Sequence, residues 1–84
     1  MHAQDHIVFI VDDDARVRDA LAEVLSSVGL NPVTFESASA YVEFPRPQVP
    51  ACLILDMRLP DIDGLELQSQ LAGGLHPPIV FISG

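Results

Sequence analysis

Three aspartates in succession, Asp12, Asp13 and Asp14, follow one apolar run, and a fourth, Asp56, follows a second. A third apolar run, Ile79 to Ile82, is closed by Ser83. Carboxylates gathered in one place repel one another and raise one another's pKa values, so a cation is needed to offset them. An all-oxygen donor set with room for water suits Mg2+, which favours one or two carboxylates together with phosphate oxygens. A carboxylate is also a competent nucleophile toward a phosphoryl group and forms an acyl phosphate with it. Bound Mg2+ would neutralise the phosphoryl oxygens during such an in-line transfer. These residue types therefore suit one aspartate as acceptor, an acidic pair holding a metal, and a hydroxyl donor from Ser83.

That chemistry requires the residues to converge, and the surrounding sequence predicts how they do. Ile7 to Val11 is continuously apolar, the pattern of a strand buried on both faces in a parallel sheet. Val17, Leu21, Val24, Leu25 and Val28 then form one apolar stripe at helical spacing, with acidic residues at the positive end of the helix and Gly29 as its stop. Pro32 to Phe35 reads as a short strand, and Ser37 as the cap of a second helix running to about Phe44. Pro45, Pro47 and Pro50 mark a loop before the apolar strand Cys52 to Leu55, which ends at Asp56. Met57 to Asp63 is a loop, and Gly64 opens a third helix with Leu67 and Leu71 on its core face, ending at Gly73-Gly74. Pro77-Pro78 leads into Ile79 to Ile82. The order β-α-β-α-β-α-β predicts an α/β fold, a doubly wound parallel sheet with right-handed crossovers. Ligands of such sheets bind outside the carboxyl ends of the strands, which is where Asp12, Asp13, Asp56 and Ser83 all fall.

Composition removes several other functions. The chain has 84 residues, 4 arginines and no lysine against 12 acidic residues, for a net charge of −8. A nucleic-acid module or a cationic membrane-surface helix needs the opposite balance. The aliphatic content argues against intrinsic disorder. One cysteine, Cys52, supports neither an internal disulfide nor a structural zinc site, and its apolar surroundings predict a buried thiol. His2, His6 and His76 lack ligand spacing and are expected at the surface. The N-terminus is not a signal peptide, and the apolar runs are far shorter than the roughly 20 residues that span a bilayer. A cytoplasmic protein is expected.

The run Ile7-Val8-Phe9-Ile10-Val11-Asp12-Asp13-Asp14 resembles the first strand and acidic pocket of bacterial response-regulator receiver domains. Asp56-Met57-Arg58-Leu59-Pro60-Asp61-Ile62-Asp63-Gly64 resembles that family's phosphoacceptor loop, with Asp56, Leu59, Pro60, Asp63 and Gly64 at its fixed positions. Ile79 to Gly84 resembles its fourth strand with the switch hydroxyl, and the wording is most similar to the FixJ-type branch, whose receivers precede a LuxR-type helix-turn-helix domain. The resemblance implies a flavodoxin-like, CheY-like sheet in the order 2-1-3-4. It implies phosphorylation of Asp56 by a cognate histidine kinase, with Mg2+ held by Asp12, Asp13, Asp56 and the backbone carbonyl of Arg58. Asp13 is the favoured direct ligand of the acidic pair, Ser83 is the hydrogen-bonding switch residue, and Asp14 has a structural role at the helix terminus. DNA binding belongs to an output domain outside this chain. A domain that phosphorylates itself in this way is not a conventional enzyme.

The resemblance also implies a fifth strand and two last helices that residues 1–84 lack, so the chain reads as the N-terminal part of one receiver domain. The family's phosphate-pairing lysine follows that fifth strand, and its absence predicts weak or no labelling of this chain alone. An alternative function follows from the same departure: a truncated, signalling-incompetent module that binds a kinase or associates with itself through the unprotected edge Ile79 to Ile82. A dehalogenase-like phosphatase would also use a strand-end aspartate. Asp12 and Asp14 fit its D-x-D-x-[TV] pattern, but Arg16 stands at the last position.

Overall fold

The structure is a computed structural model and describes residues 6–45, 48–71 and 76–82. Its elements are β1 (Ile7–Val11), α1 (Ala15–Ser27), β2 (Asn31–Phe35), α2 (Ala38–Glu43), β3 (Ala51–Asp56), α3 (Gly64–Leu71) and β4 (Ile79–Ile82). The four strands form one sheet in the order β2-β1-β3-β4, and every pairing is parallel, as the alternating pattern predicts.

β1 is central because it is apolar on both faces: Phe9, Ile10 and Val11 are fully buried. Successive side chains point to opposite faces of a strand. Phe9, Val11, Leu53 and Leu55 accordingly join Ala38, Tyr41, Leu59 and Leu67 in a core on the side of α2 and α3. Phe9 organises the centre of this layer, with its ring centroid 6.0 Å from that of Phe35, 5.4 Å from Tyr41 and 5.8 Å from Phe44.

The cap residues behave as their types require. Asp14 is the N-cap of α1 and accepts from the Arg16 N–H, and Ser37 caps α2 by accepting from the Ala40 N–H. At the other end of α1 the Gly29 N–H donates to the Ser26 carbonyl and the Leu30 N–H to the Leu25 carbonyl. This reverse turn places its middle residue in the left-handed region, and Gly29 sits there at φ 88°.

Three expectations are corrected. Val24 and Val28 lie on the predicted stripe of α1 but are 61% and 65% exposed. The helix packs mainly over β2 and β1, and Val17, Leu21 and Leu25 are the half-buried members of the stripe. Cys52 is half-buried rather than buried, because its side of the sheet opens into a groove. His6 and His76 are half-buried rather than at the surface. The predicted end of α3 at Gly73-Gly74 lies outside the described residues.

Candidate functional site

The register of the sheet builds the site. Val11 stands opposite Leu55 in the parallel pair β1–β3, so the next residues along the two strands, Asp12 and Asp56, emerge side by side at the carboxyl edge. Asp13 follows in the turn to α1. Carboxylate oxygens of Asp12, Asp13 and Asp56 lie within 4.8 Å of one another. They line a cleft of about 220 Å3 together with Asp14, Val17 and Arg58. Asp12 and Asp56 are 5% and 8% exposed, and Asp13 is exposed.

Each side chain is held by local structure. The Asp12 N–H donates to the Phe35 carbonyl (3.2 Å), and Asp12 Oδ1 accepts from the Asp14 N–H (2.8 Å). Asp56 Oδ1 accepts from the Arg58 N–H (2.9 Å), which fixes the carboxylate against its own loop. The loop is anchored again where Leu59 enters the core, where the Met57 N–H donates to the Ile82 carbonyl (3.0 Å), and where Asp63 Oδ1 accepts from the Leu65 N–H (2.8 Å) at the start of α3. Asp14 belongs to the helix cap, as its position implies. Its carboxylate also meets the exposed Arg16 guanidinium at 3.4 Å, a contact worth little in water.

The electrostatics separate Asp12 from Asp14. Burial raises the pKa of Asp12, and the neighbouring carboxylates of Asp56 and Asp13 push the same way against the Asp14 N–H. The Arg16 backbone N–H and side chain hold Asp14 below the ordinary carboxylate range. A carboxylate whose folded pKa exceeds its unfolded one destabilises the fold when ionised, and that cost disappears as pH falls through the folded pKa. Asp12→Asn is therefore expected to raise the melting temperature at neutral pH without divalent cations, and the gain should shrink as the pH is lowered. A melting series from neutral to acidic pH checks both the sign and the trend.

The donor set fits Mg2+. It consists of oxygens only, carries three carboxylates, and offers no imidazole or thiolate to favour a softer metal. The structure thus brings Asp12, Asp13, Asp56 and Arg58 to one cleft. Ser83 lies outside the described residues; Ile82 before it pairs with Asp56 in the β3–β4 register.

Two residues that the sequence does not single out complete the surroundings. Arg18 Nη1 donates to the Asp12 carbonyl at 2.7 Å. Asp61, in the loop after Asp56, accepts from the Ala38 and Ser39 N–H groups at 3.3 and 3.0 Å and so ties that loop to the first turn of α2. An arginine one turn into a helix that follows an acidic run is a faint signal for the first contact. No local signal marks the second, which joins residues more than twenty positions apart.

Comparison with known proteins agrees with this geometry. The family model described as the response regulator receiver domain matches residues 8–84. Nodulation protein W of Bradyrhizobium diazoefficiens is 46% identical over 79 residues, which cover 93% of this chain and 35% of that protein. Transcriptional regulatory protein TdiR of Thauera aromatica is 42% identical over 77 residues, covering 90% of this chain and 34% of TdiR. The crystal structure of FixJ-N superposes with a TM-score of 0.83 at 37% identity, covering 96% of this chain and 66% of that one. The chain spans about a third of the length of the curated relatives it matches.

Proposed function

The chain belongs to the response regulator receiver domain family, and from that premise we propose that Asp56 is the phosphoacceptor of a two-component system, charged by a cognate histidine kinase. The observation that carries the proposal is the convergence of Asp12, Asp13 and Asp56 within 4.8 Å at the carboxyl edge of the sheet. In the transfer, an Asp56 carboxylate oxygen attacks phosphorus in line with the P–N bond of the donor phosphohistidine. The new P–O bond forms as the P–N bond breaks, and the electron pair leaves on the imidazole nitrogen. The product is an acyl phosphate on Asp56, so the acceptor is consumed in its own reaction and the domain is not a conventional enzyme. Asp12, Asp13, Asp56 and the Arg58 carbonyl would hold Mg2+, which when bound would neutralise the phosphoryl oxygens. Burial of Asp56 and its hydrogen bond from the Arg58 N–H keep the nucleophile aimed before the donor arrives. Ser83 supplies the hydroxyl that reads the phosphoryl group.

The whole protein is proposed to act in the cytoplasm and to regulate transcription through an output domain of LuxR type. Support comes from the similarity to TdiR, named a transcriptional regulatory protein, and from the acidic balance of this chain, which leaves DNA contact to another domain. Among the described residues no helix is long and apolar enough to cross a membrane. Phosphoramidate, which carries a P–N bond like the kinase's phosphohistidine, tests the transfer in a receiver of full family length built on this chain. A gain of one phosphoryl group in intact mass is expected, and no gain when a chelator is added before the phosphodonor. No gain, or a gain indifferent to Mg2+, overturns the proposal.

One observation favours a second reading, in which this chain associates with itself. β4 is an edge strand of the described sheet, and a groove of about 470 Å3 beside it is lined by apolar side chains including Val8, Leu25, Ile54 and Val80. Open strand edges and apolar patches template association. Light scattering behind size exclusion is expected to give a mass above that of one chain at tens of micromolar, and a clean monomer ends this reading.

A further inference from the structure

We infer that Arg18 is a positioning residue for the cation site, holding the Asp12–Asp13 turn through the main chain rather than touching the metal. This rests on the Mg2+ reading above. Arg18 is half-buried on the first turn of α1, and its backbone N–H donates to the Asp14 carbonyl at 3.1 Å. Its side chain runs back over the helix start, and Nη1 donates to the Asp12 carbonyl at 2.7 Å. A charge-assisted bond of this length is among the stronger ones a protein makes. With it, every hydrogen-bonding group of the Asp12 main chain is committed: the N–H to Phe35, the carbonyl to Arg18. The Asp12 side chain is turned by the Asp14 N–H. The peptide that Arg18 grips is the one joining Asp12 to Asp13, so its orientation sets where the exposed Asp13 carboxylate stands relative to Asp56.

Position and charge make opposite demands here, which gives the inference a sign. A guanidinium beside a cation site repels the cation, so removing the charge alone tightens Mg2+ binding. Removing the tether releases the turn and weakens it, by about tenfold if Arg18 behaves as other outer partners of metal ligands do. The test is a Mg2+ titration of the chain followed by amide NMR shifts, with no phosphodonor present. Arg18→Met keeps the apolar stem and removes donor and charge; the lost tether outweighs the lost repulsion, and it is expected to bind more weakly than wild type by several-fold, less than the roughly tenfold of the tether alone. Arg18→Lys keeps the charge and one donor without the planar fork, and is expected to fall between the two. Met-variant binding equal to or tighter than wild type overturns the inference, and so does a Lys variant that binds as tightly as wild type, which decides the matter should the Met variant not fold. A wild-type chain that binds no Mg2+ overturns the underlying reading of the site instead.

Discussion

Asp13→Asn is expected to lose roughly a hundredfold or more in Mg2+ affinity while shifting the melting temperature by no more than about 4 °C. Changes to residues that merely orient metal ligands cost about 10–100-fold in affinity, so loss of a ligand itself belongs at or beyond the upper end. The fold should change little, because Asp13 is exposed, no hydrogen bond among the described residues uses its carboxylate, and its repulsion of Asp12 is secondary to burial. Surface changes of that kind stay within about 0.5 kcal/mol. Asp12 differs from its neighbour in this respect. It is buried with a raised pKa, so neutralising it should remove the metal and stabilise the apo fold at once. Isothermal titration with Mg2+ beside a thermal melt separates the two effects. An Asp13→Asn variant that binds Mg2+ as wild type does removes Asp13 from the ligand set.

Phe9→Ala carries the largest structural effect. The ring is fully buried and meets Phe35, Tyr41 and Phe44 at centroid separations of 6.0 Å or less. Truncating a buried phenylalanine costs about 3–5 kcal/mol in lost transfer energy and residual cavity. A chain of this length has a total stability of about 4–13 kcal/mol at the usual per-residue scale. The variant should therefore melt tens of degrees lower or fail to fold, since each kcal/mol shifts a small domain by about 4–8 °C. Urea unfolding followed by far-UV circular dichroism measures it. A loss under 1 kcal/mol would mean that the aromatic cluster does not form the centre of the core.

The same residues show why some of this was legible in the sequence. β1 and β3 announce themselves as unbroken apolar runs ending in aspartate, and a parallel sheet places such ends together; hence the sequence alone brings Asp12 and Asp56 to one edge. Gly29 and Ser37 are legible because a left-handed turn and a helix cap each accept few residue types. The partner of the α1 stripe was not legible. Helical period finds Val24 and Val28 on the apolar face, but only the sheet order shows that α1 sits over β1 and β2 and leaves both side chains exposed. Arg18 and Asp61 escape for another reason. Each acts through main-chain groups of another segment, Asp12 in one case and the start of α2 in the other, and such contacts depend on tertiary placement rather than on spacing. The aromatic cluster likewise joins rings from β1, β2 and α2 that no local pattern relates.

These parts leave one claim at the centre, that Asp56 receives a phosphoryl group at a metal site built from Asp12 and Asp13. Borohydride reduces an acyl phosphate to an alcohol and leaves a free carboxylate untouched, so it converts phosphoaspartate to homoserine and marks the acceptor in the sequence. The decisive measurement is peptide mass mapping after phosphoramidate and borohydride treatment of the full-family-length receiver, with and without Mg2+. Homoserine at position 56 alone, appearing only with Mg2+, is the expected result. Homoserine at position 12 or 13, or labelling confined to a serine, would contradict the assignment.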